Sequence, residues 1–196
     1  MIKHASVLAI GTMVLGVTAL PALAHDHMGG GGGGEACRMQ PFTKQWGLSA
    51  RAFANQGGNG SVYTMLGLEM RKVNDDGWSG GFAMARGMNL GDQSNVDATT
   101  LGGFLFGKEF GMGSFSLGLG VLLGGGCIVT ASPTLAFSNF GAFFAGEPRV
   151  SLGLDLGENH RLSLTGSYLA TTRMGQVSGP AITLTWSAKM PRRCDH

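Results

Sequence analysis

Ser114-Phe115-Ser116-Leu117-Gly118-Leu119-Gly120-Val121-Leu122-Leu123 is the stretch that decides the fold. In an extended chain successive side chains point to opposite faces. Phe115, Leu117, Leu119, Val121 and Leu123 then share one face, and Ser114, Ser116, Gly118 and Gly120 share the other. One face is apolar and the other is small. The same rule holds for Val150, Leu152, Leu154 and Leu156 against Ser151, Gly153 and Asp155, and for Ile182, Leu184 and Trp186 against Thr183, Thr185 and Ser187.

Alternation and flanking turn residues predict further strands at about 46–54, 61–72, 78–87, 98–106, 134–145 and 160–170. Tight turns are expected at Asn74-Asp75-Asp76-Gly77, Gly146-Glu147-Pro148-Arg149 and Gly157-Glu158-Asn159-His160, since each carries residues that preset φ, accept positive φ or cap their own backbone. Longer loops fall near 88–97, 124–133 and 171–180. The tally is nine strands, one away from the even number of a bacterial single-chain barrel. Either Cys127 to Ala131 is a short extra strand, or two weak runs are one. No window after Trp46 sustains apolar residues at helical spacing, so the chain reads as all-β.

Alternation alone does not say which face meets water; the chemistry of the non-apolar face does. A soluble sheet shows Lys, Glu, Asp and Arg there, whereas here those positions are mostly Gly, Ser and Thr. Small residues suit the narrow interior of a barrel of about eight strands. Val62 to Lys72 and Arg161 to Thr171 have about the 9–11 residues a tilted membrane-spanning strand needs. Trp46, Trp78, Phe110, Phe140, Tyr168 and Trp186 fall at strand ends, where interfacial girdles form, although Phe140 reads equally as a core aromatic. The expected fold is an antiparallel up-and-down transmembrane β-barrel of about 8–10 strands, with a soluble lipocalin-like barrel or sandwich as the alternative. Arg51, Glu69, Arg71 and Asp155 are the candidate lumen charges, expected to pair because unpaired charges in a confined space are costly.

Composition agrees. Only 13% of the 196 residues are charged, against about 25% in soluble domains, and 35 are Gly. Lys plus Arg is 14 and Asp plus Glu is 12, with no concentrated basic patch, which excludes a nucleic-acid partner. At the start, Lys3 and His4 precede an apolar run from Ala5 to Leu20 and the pattern Ala22-Leu23-Ala24. This reads as a secretory signal peptide over 1–24, cleaved after Ala24. Residues 25–44 form a Gly- and His-rich leader, 45–190 the barrel and 191–196 a tail. Cys37 and Cys194 flank the barrel, where first and last strands are neighbours, and form a candidate disulfide in an oxidising compartment.

Cleavage after Ala24 would expose His25-Asp26-His27, whose amine, backbone nitrogens and third-position imidazole can form a square-planar site for Cu(II) or Ni(II). A hydrophilic leader with two accidental histidines is the simpler account, and no other cofactor is implied. Catalysis is not expected, because no nucleophile, base and orienter assemble from the residues present. His160 reads as a surface turn histidine. Gly118-Leu119-Gly120 and Gly124-Gly125-Gly126 lack the helix a nucleotide loop needs. Met65, Met70 and Met84 read as packing residues.

With its signal peptide, Gly-rich alternating strands and final strand Ala181-Ile182-Thr183-Leu184-Thr185-Trp186, the chain resembles the small bacterial outer-membrane β-barrel proteins over residues 46 to 188. The resemblance implies outer-membrane lipid and the barrel assembly machinery as partners, with small solutes or ions if the lumen conducts. It leaves a narrow passive pore or a structural and surface-interaction role in the outer membrane, both non-catalytic. The alternative is a soluble periplasmic β-protein that binds Cu or Ni at its processed N-terminus.

Overall fold

The computed structural model describes residues 38–39, 42–56, 62–89, 96–131, 138–173, 177–190 and 194–195. Among the described residues ten strands follow one another: β1 (Arg38–Met39), β2 (Phe42–Ala54), β3 (Val62–Asn74), β4 (Trp78–Asn89), β5 (Val96–Met112), β6 (Phe115–Ala131), β7 (Ser138–Leu156), β8 (His160–Thr171), β9 (Gly179–Met190) and β10 (Cys194–Asp195). Strands β2 to β9 form a closed barrel, each antiparallel to the next, and β2 closes the ring on β9 in a register that sets Arg51 opposite Thr183. Strands β1 and β10 pair separately, with Met39 opposite Cys194.

The barrel therefore has eight strands, and the expected ninth disappears in β7. Gly146-Glu147-Pro148-Arg149 is not a turn, for β7 runs through it from Ser138 to Leu156. Pro148 has no N–H to donate, and pairing with β8 lapses between Gly146 and Arg149, while β6 holds the other side unbroken through Val121 opposite Pro148. The expected loop at 124–133 is likewise mostly strand, since β6 extends to Ala131. Gly124 lies opposite Gly103, where a Cβ would come within 2.1 Å of the Gly102 carbonyl oxygen, so the glycines serve close strand approach here. The barrel opens at Phe42, inside the stretch assigned to the leader, because Phe42 already pairs with Asn74. Residues 1–37 lie outside the described residues, and with them the signal peptide, His25-Asp26-His27 and Cys37.

Two kinds of connection separate the ends of the barrel. At one end β3–β4, β5–β6 and β7–β8 are joined by three, two and three residues. Each of these turns has a glycine at positive φ, Gly77 at 82°, Gly113 at 69° and Gly157 at 78°, a conformation that favours residues without a Cβ. Asn74 fixes the first turn, its side-chain oxygen accepting the Trp78 N–H at 2.7 Å. At the other end the four connections span 55–61, 90–95, 132–137 and 172–178.

The outer face is apolar, and Leu66, Phe104, Phe144, Leu152 and Ile182 are exposed along it. All six girdle candidates point outward and are exposed, Phe140 included. Trp46, Trp78, Phe110 and Trp186 ring the short-turn end, and Phe140 and Tyr168 lie toward the loop end. Thr165, Thr183, Thr185 and Ser187 are buried inside. A soluble barrel has the opposite polarity, so the face assignment itself marks this one as built for an apolar surround.

Candidate functional site in the barrel lumen

Period-two alternation sends the odd-numbered residues of β2, β3, β5, β7, β8 and β9 inward, and the charges among them meet in the lumen. Arg51 on β2 donates to Glu147 on β7 at 2.7 Å, and Glu147 lies 3.7 Å from Arg149 Nε. Arg149 reaches both carboxylate oxygens of Glu69 on β3 at 3.5 Å. Arg71 bonds Glu69 through Nε at 2.7 Å and also through Nη2, and approaches Glu109 on β5 at 3.3 Å. Arg161 on β8 bridges Glu109 at 2.5 Å and Asp155 at 2.6 Å, and Lys189 on β9 holds the second Asp155 oxygen at 2.6 Å.

These nine side chains form one unbroken series in which cation and anion alternate from Arg51 to Lys189. Burial grades along it. Glu147 has no exposed surface, whereas the Asp155 side chain at the short-turn end is 25% exposed. Pairing with opposite charge is what lets these groups stay ionised in a low-dielectric interior, where each lone ion carries a desolvation penalty of several kcal/mol.

Toward the loop end the lumen changes character. Phe53, Tyr63, Met65, Leu101, Ile128, Phe143, Leu169 and Val177 are buried in one apolar cluster. Phe53 and Tyr63 stack with centroids 4.7 Å apart and planes 8° from parallel. The two halves meet at Arg51, whose guanidinium lies 5.8 Å from the centre of the Phe53 ring. Arg51 spends only one N–H on Glu147, and among the described residues its Nε and Nη2 have no partner, nor do the hydroxyls of Thr165 and Thr183 in the same row of the sheet. Below this row a small cavity of about 30 Å³ is lined by Arg71, Glu109, Arg149, Ser151 and Thr165 among others.

Of the residues singled out in the sequence, Arg51, Glu69, Arg71 and Asp155 all face the lumen, and Arg71 and Glu69 pair directly. Arg51 takes Glu147 as its partner and Asp155 takes Arg161 and Lys189. Glu147 and Arg149 sit in a stretch whose composition predicts a turn, and Glu109, Arg161 and Lys189 lie at or beyond the ends of the predicted strands. Reading the odd-number parity of the neighbouring runs through to these positions would have found all five. Met65 is buried in the apolar cluster and Met84 is exposed on the outer face. His160 opens β8 on the outer face and stacks on Trp186 at 5.3 Å. Among the described residues Cys127 is a free thiol, and no group of three His, Cys, Asp or Glu side chains is placed to hold a metal. Cys194 lies in β10, and its candidate partner Cys37 is outside the described residues.

No protein-family model matches the sequence, and no curated protein matches it. Solved structures do match in fold. Neisserial surface protein A superposes with a TM-score of 0.60 at 11% identity, covering 78% of this chain and 98% of that one. Ail, the attachment invasion locus protein of Yersinia pestis, in its complex with the heparin analogue sucrose octasulfate, gives 0.54 at 13% identity, covering 76% and 97%. The N-terminal β-barrel domain of Pseudomonas aeruginosa OprF gives 0.53 at 10% identity, covering 78% and 100%. The chain shares the closed eight-stranded antiparallel fold of these small outer-membrane barrels.

Proposed function

We propose that the protein is an outer-membrane barrel with a closed lumen, acting through its structure and the surface it presents, without catalysis and without conduction. The observation that carries this reading is the arrangement of the lumen, an apolar cluster at the loop end above an unbroken series of ion pairs. An eight-stranded barrel has an interior just wide enough for its own side chains, so such a filling leaves no continuous aqueous path. The outward apolar face with aromatic bands at both ends supports residence in the outer membrane. In that setting short turns face the periplasm, so the opposite end of the barrel is the end offered to partners outside. The narrow passive pore is the competing role. Planar-bilayer recordings on the reconstituted protein are expected to show no steady current, and a reproducible ohmic conductance would overturn closure.

A further inference from the structure

The outer face at the short-turn end is lopsided in charge. Lys44 on β2 and Lys72 on β3 sit directly opposite each other, pointing outward, an arrangement of like charges that is unfavourable in an antiparallel pair. Their ammonium groups lie 5.8 Å and 5.0 Å from the centre of one ring, that of Phe42. Lys108 on β5 lies opposite Trp78 on β4, its ammonium 5.2 Å from the Trp78 ring and 5.6 Å from Phe110. Between the two groups β4 contributes Gly80, opposite Lys72, where an added Cβ would meet nothing nearer than the Leu105 carbonyl oxygen at 4.0 Å.

None of the three lysines takes part in an ion pair among the described residues. Of the acids next in sequence to Lys72, Glu69 points into the lumen and Asp75 and Asp76 lie in the β3–β4 turn. Arg161 on β8 and Lys189 on β9, the strand that pairs with β2, turn inward to Asp155. Three cations without an ion pair among the described residues thus stand on β2, β3 and β5 at one end of the outer face, two over the Phe42 ring and one over Trp78, where an apolar wall gives way to water.

We propose that Lys44, Lys72 and Lys108 form a binding site for the phosphate of an anionic phospholipid, with Phe42 and Trp78 seating the glycerol region and Gly80 leaving room for it. A phosphodiester brings several acceptor oxygens to three ammonium donors and relieves the Lys44–Lys72 repulsion. A zwitterionic headgroup brings its own ammonium and gains less. Long lysine stems lie along the apolar surface and present their charge at the interface. Each such cation near an anionic membrane surface favours anionic lipid by roughly fivefold, the factor corresponding to about 1 kcal/mol.

The inference rests on the membrane reading above, and one experiment separates the two. The variant W46F/W186F leaves Trp78 as the sole tryptophan; it is reconstituted in phosphatidylcholine vesicles holding a small fraction of either brominated phosphatidylglycerol or brominated phosphatidylcholine. Trp78 quenching by the brominated phosphatidylglycerol is expected to match a local fraction roughly fivefold or more above the bulk value. Adding K44Q/K72Q/K108Q returns it to the bulk fraction, while R86Q, an outward cation toward the loop end, leaves it unchanged. Excess inorganic phosphate leaves the preference intact; its loss would indicate a site for free phosphate and overturn the lipid assignment. Equal quenching by the two lipids in the parent, or a preference surviving in the lysine variant, also overturns it. Quenching by neither lipid, with gel mobility unchanged by boiling, overturns the membrane reading along with it.

Discussion

The two halves of the lumen solve the same problem with opposite chemistry. Near the loops the barrel is closed by side chains that exclude water, with Phe53 stacked on Tyr63 among Met65, Leu101 and Leu169. Near the short turns it is crossed by guanidinium and carboxylate groups from six strands, each held by at least one opposite charge. Apolar packing is tolerant of substitution because any group of similar volume fills the space. The ionic half is less tolerant where it is buried, because deleting a buried member strands charge that the interior does not solvate. The mechanical weak point of the barrel therefore lies at Glu147, the residue that serves two arginines where the halves meet.

Glu147→Gln is therefore expected to have the largest effect. It strips the full charge partner from Arg51, which is 6% exposed, and from one side of Arg149, for a loss of about 3–5 kcal/mol. Urea unfolding of vesicle-inserted protein measures it. The double variant R51M/E147L, which removes both charges while keeping volume, should recover most of that loss. If the double variant is as damaged as the single, the pairing account of this half is wrong. Phe53→Ala comes next, at about 3 kcal/mol, from the buried surface lost and the cavity left against Tyr63. On its own it should remain non-conducting in bilayer recordings, since the ion-pair series still crosses the lumen. Conductance in the single variant would show that the apolar half alone provides closure.

The division between outer and inner faces was legible because period two is a rigid consequence of extended backbone, and Phe115 to Val121 or Ile182 to Trp186 display it without interruption. Strand number was not, because Pro148 and the glycines at 124–126 are local punctuation marks that non-local pairing overrides. Nothing within residues 146–149 tells that β6 will hold them in line through Val121. The lumen charges were partly legible for the same reason. Arg51, Glu69, Arg71 and Asp155 lie in clean alternating runs, whereas Glu147 and Arg149 lie in the stretch whose composition suggested a turn. Partner choice was beyond the sequence altogether, since Arg51 and Glu147 are brought together by barrel closure across 96 residues.

The far end of the same series supplies the smallest effect and the sharpest control. Asp155 accepts from Arg161 and Lys189 at 2.6 Å each, a geometry better than any Arg149 makes with Glu69. Geometry alone would rank it above Glu147. Yet its side chain is a quarter exposed, and so are its partners in part, so that water takes over the stranded charges when the carboxylate is removed. Asp155→Asn is expected to cost under about 1 kcal/mol, the range of solvent-accessible pairs. The cost should also shrink as salt rises from 0.05 to about 1 M, because ions screen an exposed pair and do not reach a buried one. Glu147→Gln should show no such salt dependence. A loss at Asp155 as large as that at Glu147, and equally indifferent to salt, would mean that distance and not burial grades this series, and the lumen would then have one ionic character along its whole length.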